Sequence, residues 1–344
     1  MSDNIIKEKN EKNLQNFTFY KNIQNSFCRW GLDNAFTSFN FNGISFLIYA
    51  TINKSIISFN LCNEIIITEI KNAHEKDITN FRYYIKERNN KCIIMSISGE
   101  NQNVKLWNFL NWECILNLGS IYKFGSINSS CFLNEDNQDY IVISDNSDRT
   151  EIKIYDFSGN LIKSINDSQD KTLFIDCIKE KINSKNYIIT GNDKYIKSFD
   201  YNENKLYHKY DDNAKSWHCS VKYIYSKFKS KLLDSCWGDD IIRIWDFHLG
   251  ILITKIKTYG KNIKCLCIYD DNFIFVGCYN HTMKLVDIEN EKVVKSFEGH
   301  KDWVCTINKV SHKKYGEYII SAGLGKKEMI KIWAINNSND KENK

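Results

Sequence analysis

Proline is absent from all 344 residues, which removes the side chain that most often presets a turn. Turns must then rest on Asn, Asp, Gly and Ser, which tolerate the left-handed backbone of tight hairpins. Asn, Lys and Ile are abundant instead, the mark of an A+T-rich coding sequence. No apolar run approaches the roughly 18 residues that a membrane-spanning helix needs. The opening MSDNIIKEKNEKN is polar and lacks the apolar stretch of a secretory leader, so none is expected. The 15 glycines form no phosphate loop, and no Gly-x-Ser-x-Gly occurs. Twelve cysteines show no metal-ligand spacing: the nearest pair, Cys265 and Cys267, is separated by one residue, where zinc sites use two to four. Most sit in strand-like runs (Cys92, Cys131, Cys177, Cys236, Cys278), where a thiol packs as a small hydrophobe. No cofactor or metal is expected, and the chain is read as cytoplasmic, with the nucleus as the alternative.

A net charge of +5, with both signs interspersed, falls short of the concentrated basic surface of most nucleic-acid binders. Hydrophobic content of 42% and aromatic content of 14% suffice for a large core. Length alone would suggest two domains, but an internal period reads differently. Residues 299–333, GHKDWVCTINKVSHKKYGEYIISAGLGKKEMIKIW, open on Gly-His and carry three short apolar strands, the last ending on Trp333. Fainter versions of the unit precede it. Each third strand ends on an aromatic or apolar residue, in most cases followed by Asp or Asn: Phe59/Asn60, Trp107/Asn108, Tyr155/Asp156, Phe199/Asp200, Trp245/Asp246, Val286/Asp287 and Trp333/Ala334. These landmarks lie 48, 48, 44, 46, 41 and 47 residues apart.

Gly-His, then Ser, then Trp across one such unit resembles a repeat of the WD-repeat β-propeller family. The resemblance implies an all-β, seven-bladed propeller of four-stranded antiparallel blades over residues 14–335, between polar tails at 1–13 and 336–344. The blades are expected at 26–73, 74–120, 121–170, 171–214, 215–260, 261–298 and 299–335. The seventh unit stops after three strands, and residues 14–23, LQNFTFYKNI, belong to no other repeat. They are the expected donor of the missing outer strand, closing the ring without a long unpaired edge.

The recurring His, Ser and Asp could be mistaken for a catalytic triad. The resemblance implies a structural relay instead, in which a His at the start of a blade bonds a second-strand Ser, the Ser bonds the third-strand indole, and a turn Asp holds the His. The residues concerned are His74, Ser96 or Ser98 and Trp107 in blade two, Ser235, Asp239 and Trp245 in blade five, and His300, Ser321 and Trp333 in blade seven. Acidic pairs such as Glu135/Asp136 and Asp270/Asp271 read as hairpin turns.

In the family the narrow face, at the starts of blades and the turns between second and third strands, most often binds peptides. Carried over by position, its contact residues are Asp77 and Thr79, Trp217 and Cys219, Trp303 and Cys305, with Glu100, Asn192 and Tyr279 from the turns. Trp217, Tyr279 and Trp303 form the aromatic part, the residue class that anchors interfaces. Lys-rich connections between first and second strands (Lys86 and Arg88, residues 179–185 and 227–231, Lys313 and Lys314) fall on the opposite, wide face. The expected function is a non-catalytic scaffold: a single propeller within a hetero-complex, holding a peptide or helix of another protein. A nucleic-acid or acidic-polymer subunit using the lysine loops is the alternative, and an enzyme with a channel site ranks below both.

Overall fold

The computed structural model describes residues 16–23, 35–98, 103–120, 129–135, 138–145, 151–166, 172–213, 216–312, 316–324 and 330–335. Among these, the chain forms seven four-stranded antiparallel sheets, the blades of a propeller. They occupy 36–70, 80–117, 130–166, 174–210, 217–257, 263–297 and 304–335, each inside the range read from the period. The expected tails at 1–13 and 336–344 lie outside the described residues. No described helix is long and apolar enough to cross a membrane.

The seventh sheet holds Val304–His312, Gly316–Gly323 and Ile330–Ile335, and its outer strand is Phe17–Ile23 from the start of the chain. Phe17 pairs with Ile335 and Ile23 with Ile330. Phe17 is fully buried and meets the Phe275 ring of blade six edge-on at 6.0 Å. Lys21 and Tyr20 strap the strand to blade one: Lys21 forms an ion pair with Glu64, and the Tyr20 hydroxyl donates to Glu64 Oε1 at 2.6 Å.

The landmark Asp or Asn has a physical cause. Its side-chain oxygen accepts turn N–H groups that the ladder leaves without partners as the third strand hands over to the outer one. Asn60 takes the N–H of Cys62, Asn108 that of Leu110, and Asp156 that of Ser158. Asp200 takes that of Glu203, Asp246 that of His248 and Asp287 that of Glu289.

Second strands such as Asn186–Gly191 and Phe273–Cys278 are buried at every residue because both faces meet a neighbouring blade. They therefore read as continuous apolar runs, whereas outer strands such as Leu161–Asn166 and Leu252–Lys257 are largely exposed. Each apolar cluster spans two adjacent blades, from blades one and two, through each later pair, to blades seven and one. Where blades six and seven converge, only glycine fits at 277: a Cβ there would strike Cys265 Sγ and lie 2.6 Å from the Val304 carbonyl.

Turn chemistry is broader than the missing proline suggested. Among the described residues, Asn42, Asn72, Asn90, Asn204, Asn213, Asn262 and Ser184 take positive φ. So do Lys54, Glu64, Trp112, Lys227, Phe228, Tyr259, Lys261, His281 and Glu291, and no Asp does. Aspartate works in these turns as an acceptor and leaves the strained backbone to others.

Deleting residues 1–25 removes Phe17 and Ile23, each worth about 1.5–3 kcal/mol of burial, and bares the edge of Ile330–Ile335. The truncated chain is expected to aggregate. Recovery as a soluble monomer with an unchanged thermal midpoint would refute the closure.

Candidate functional site

Two relays form. Trp107 Nε1 donates to Ser96 Oγ at 2.8 Å, and Ser96 Oγ lies 2.7 Å from His74 Nε2. Trp333 Nε1 donates to Ser321 Oγ at 2.7 Å, and Ser321 Oγ lies 2.7 Å from His300 Nε2. Because the indole occupies the serine as donor, the serine hydroxyl proton is left for the imidazole, whose Nε2 accepts. Of the two serines considered, Ser96 takes the role. All six residues are buried, so neither serine can meet a substrate. Burial, helped by Lys105, holds the His74 pKa down at about 3, and the ring is neutral. The turn at 99–102, where an Asp would hold His74, lies outside the described residues, and Glu100 with it.

Blade five departs from the pattern. Ser235 Oγ donates to the Ser220 carbonyl at 3.5 Å, Trp245 Nε1 has no partner among the described residues, and Asp239 pairs with Arg243 at 2.6 Å. A different network takes the relay's place. His218, inside the first strand, sets Nδ1 2.9 Å from Asp234 Oδ2 and 3.4 Å from Cys236 Sγ. Arg243 Nη1 approaches Cys236 Sγ at 3.4 Å, and its Nε donates to Asp212 at 2.7 Å. Burial works to lower the His218 pKa, but the Asp234 charge and hydrogen bond, with the Lys194 main chain, outweigh it and raise it. Burial, then Asp234, pushes the Cys236 thiol far up. Sequence reading missed this cluster because it looked for His ahead of the strand. The signal lay in Asp234, Cys236 and Arg243 at alternating strand positions that should be apolar.

His218, Asp234 and Cys236 bring three donor atoms within 4.8 Å of one another. A cation would meet the Arg243 guanidinium beside a thiol that resists ionisation, and would have to break the His218–Asp234 bond. The chemistry is that of an ion-pair network. The thiols of Cys92 and Cys278 are likewise pushed up, to about 12, by burial.

At the end of the blades where first strands begin and second strands turn into third, the aromatic residues gather as two pairs. Tyr279 and Trp303 bridge blades six and seven with ring centroids 4.0 Å apart and planes tilted 31°. Trp217 faces Trp237 across the first two strands of blade five at 4.8 Å, and Lys264 Nζ sits 4.8 Å from the Trp237 ring centre. Trp237, which sequence reading overlooked, leads into Gly238 at φ +120°, where a Cβ would lie 2.7 Å from Ser216 Oγ. Trp217 is 46% exposed; Tyr279, Trp303, Asp77 and Thr79 are half-buried.

Three carried-over positions offer a partner little. Cys219 and Cys305 are buried because each sits in a bulge, where the first strand carries one residue too many for its neighbour. Lys264 occupies the matching bulge of blade six. Asn192 is also buried, its Oδ1 accepting the N–H groups of Lys194 and Tyr195.

Two outcomes follow from these networks. With a folded pKa of about 3 against about 6.5 unfolded, His74 binds its proton in the unfolded chain first, so stability is full above pH 6.5 and falls on acidification. Between pH 6.5 and 5 its share of the loss is about 2 kcal/mol, and urea titrations of wild type and His74→Asn are expected to differ by that slope. Asp234→Asn takes the anionic partner from the buried His218 ring, while Arg243 keeps Asp212 and Asp239, and is expected to cost about 3–5 kcal/mol in the same assay, against about 1 kcal/mol for Ser235→Ala. Equal losses would remove the ion-pair reading.

Comparison with known proteins agrees with this architecture. The family described as "WD domain, G-beta repeat" matches residues 291–334. Autophagy-related protein 16 of Arabidopsis thaliana is 25% identical over 174 residues, 50% of this chain and 32% of that protein. The WD repeat domain-containing protein 83 homolog of Dictyostelium discoideum is 35% identical over 75 residues, 22% of each chain. The likeness thus spans about a third or less of either relative's length. The matched repeat falls largely on the seventh of the seven blades, and the ring as a whole has the architecture of a WD-repeat β-propeller.

Proposed function

We propose that the protein is a non-catalytic platform that holds a peptide or helical segment of another protein on its narrow face, within a larger complex. WD-repeat propellers are in general non-catalytic and bind proteins. What carries the reading here is the placement of Trp217, Trp237, Tyr279 and Trp303 at the rim of blades five to seven, stacked against one another and still partly open to solvent. Packing of the core does not require indoles there, and rigid aromatic surface at little entropic cost is what interface anchors supply. The stacked pairs are already ordered, so a partner segment would not have to immobilise them.

Among the described residues, the serine, histidine and thiol groups near that rim are packed as structure. The Ser–His contacts are sealed, and the buried thiols described above are un-ionised.

Trp303→Ala and Tyr279→Ala are expected to shift thermal unfolding by no more than about 1 kcal/mol, since both rings are part-exposed. Affinity purification with mass spectrometry should show at least one protein, captured by the wild type, that both variants lose. A large fall in stability with the captured set unchanged would make these rings core packing and end the proposal.

A further inference from the structure

We propose that the wide face at blades four and five docks on an anionic phospholipid surface, with Phe228 entering the boundary between headgroups and acyl chains. The proposal concerns the face opposite the aromatic pairs and does not rest on them.

Three connections on this face converge on one buried carboxylate, Glu180. Its Oε2 accepts the N–H groups of Ile182 and Asn183, both at 2.8 Å. Its Oε1 accepts the Tyr223 hydroxyl at 3.1 Å and the Ser230 hydroxyl, and lies 3.4 Å from His248 Nε2. Tyr223 in turn accepts the N–H of Lys181 at 3.1 Å. Burial opposes ionisation of Glu180, but donation from Ser230, Asn183, Ile182 and Tyr223 outweighs it and holds the carboxylate below its ordinary range. The first turn of blade four, the first hairpin of blade five and the turn before its outer strand are thereby held as one crest.

The crest displays what a folded chain normally hides. Ile182 is 55% exposed, Leu249 64% and Phe228 88%. Phe228 also occupies a backbone conformation that suits it poorly. Ser226 pairs with Lys229, so Lys227 and Phe228 form a two-residue turn with φ of 49° and 60°. Asn-Gly fills such turns at least cost, and a bulky residue there is an outlier. No burial compensates it within the chain, which points to a use outside it.

Lysines surround these tips. Lys227 and Lys229 flank Phe228, with Lys231 further along the strand, and a groove of about 280 Å³ beside the crest is lined by apolar side chains such as Val221 and Leu232 together with Lys179, Lys181, Lys222 and Asp176. Burial, then the ammonium groups of Lys227 and Lys229, depress the Lys231 pKa, a sign of how closely these charges crowd. Lys227 is held by Glu289, and Lys185 by Asp200 and Glu203. The remaining basic groups are point-charge ammoniums and not the guanidinium forks that read nucleic-acid phosphates and bases. Aliphatic tips such as Ile182 and Leu249 have no π-face for a base to stack on, whereas hydrocarbon receives them readily. Apolar side chains at loop tips within a field of lysine match the interfacial zone of an anionic bilayer.

The full chain is to be sedimented with vesicles of phosphatidylcholine alone and with vesicles that also contain phosphatidylserine. The wild type is expected to bind the second kind only, and to be released as salt is raised. Phe228→Asn keeps a residue that accepts positive φ, so its thermal midpoint should hold or rise, while vesicle partition falls about tenfold. Changing Lys181 and Lys229 together to Ala should lower partition about twentyfold. Trp303→Ala should leave it unchanged, separating this surface from the narrow face. Equal binding by wild type and Phe228→Asn would overturn the proposal. So would retention on single-stranded RNA or polyglutamate with no vesicle binding, which would assign the lysines to an acidic polymer.

Discussion

No blade of this propeller owns a core. A four-stranded sheet has two faces, and in each blade the middle strands are buried on both, so every apolar cluster lies between neighbours and belongs to two blades at once. Stability is therefore collective. A sheet missing one neighbour would present a bare apolar face to water, and an open arc would have two such faces. Closure is the condition on which the remaining structure depends, and it is met by seven residues, Phe17–Ile23, from the start of the chain.

That dependence explains where polar groups can be afforded. Blades two and seven bury serine, histidine and tryptophan as relays in which each donor finds an acceptor. Blade five answers the same need with charge: an imidazole, a guanidinium and carboxylates balanced out of water. The two solutions respond oppositely to protons. His74 is held neutral, so its contribution is present at neutral pH and fades in acid. His218 is held toward its charged form, so its contribution is present in acid and fades as pH rises through its raised folded pKa.

Much of the architecture was legible because the ring repeats one local solution. The Asp or Asn after each third strand is needed to accept turn N–H groups, so it recurs at the period of the blade and marks it. The donor strand was legible as a leftover: an alternating segment with no repeat to join. The site was legible only in part. Trp217, Tyr279 and Trp303 are part-exposed and each meets another aromatic ring, whereas Cys219 and Cys305 fall in bulges that no local pattern announces. His218 was missed for a related reason. Its partner Asp234 lies 16 residues away, and their meeting depends on the register of two strands. Phe228 was passed over as part of a lysine run, since exposure cannot be read from a residue's neighbours.

The latch of the ring also sets how the molecule would answer to force. The outer strand of blade seven and the strand beside it run antiparallel, with Phe17 opposite Ile335 and Ile23 opposite Ile330. Phe17 and Ile335, the first and last strand residues of the ring in chain order, therefore lie opposite each other at one end of this pair. Tension applied through them would load the ladder one rung at a time, as a zipper is opened, and not all rungs together in shear. A pull applied at Phe17 and Ile335 would therefore act first on the rung that joins them, which is a rung of the closure itself.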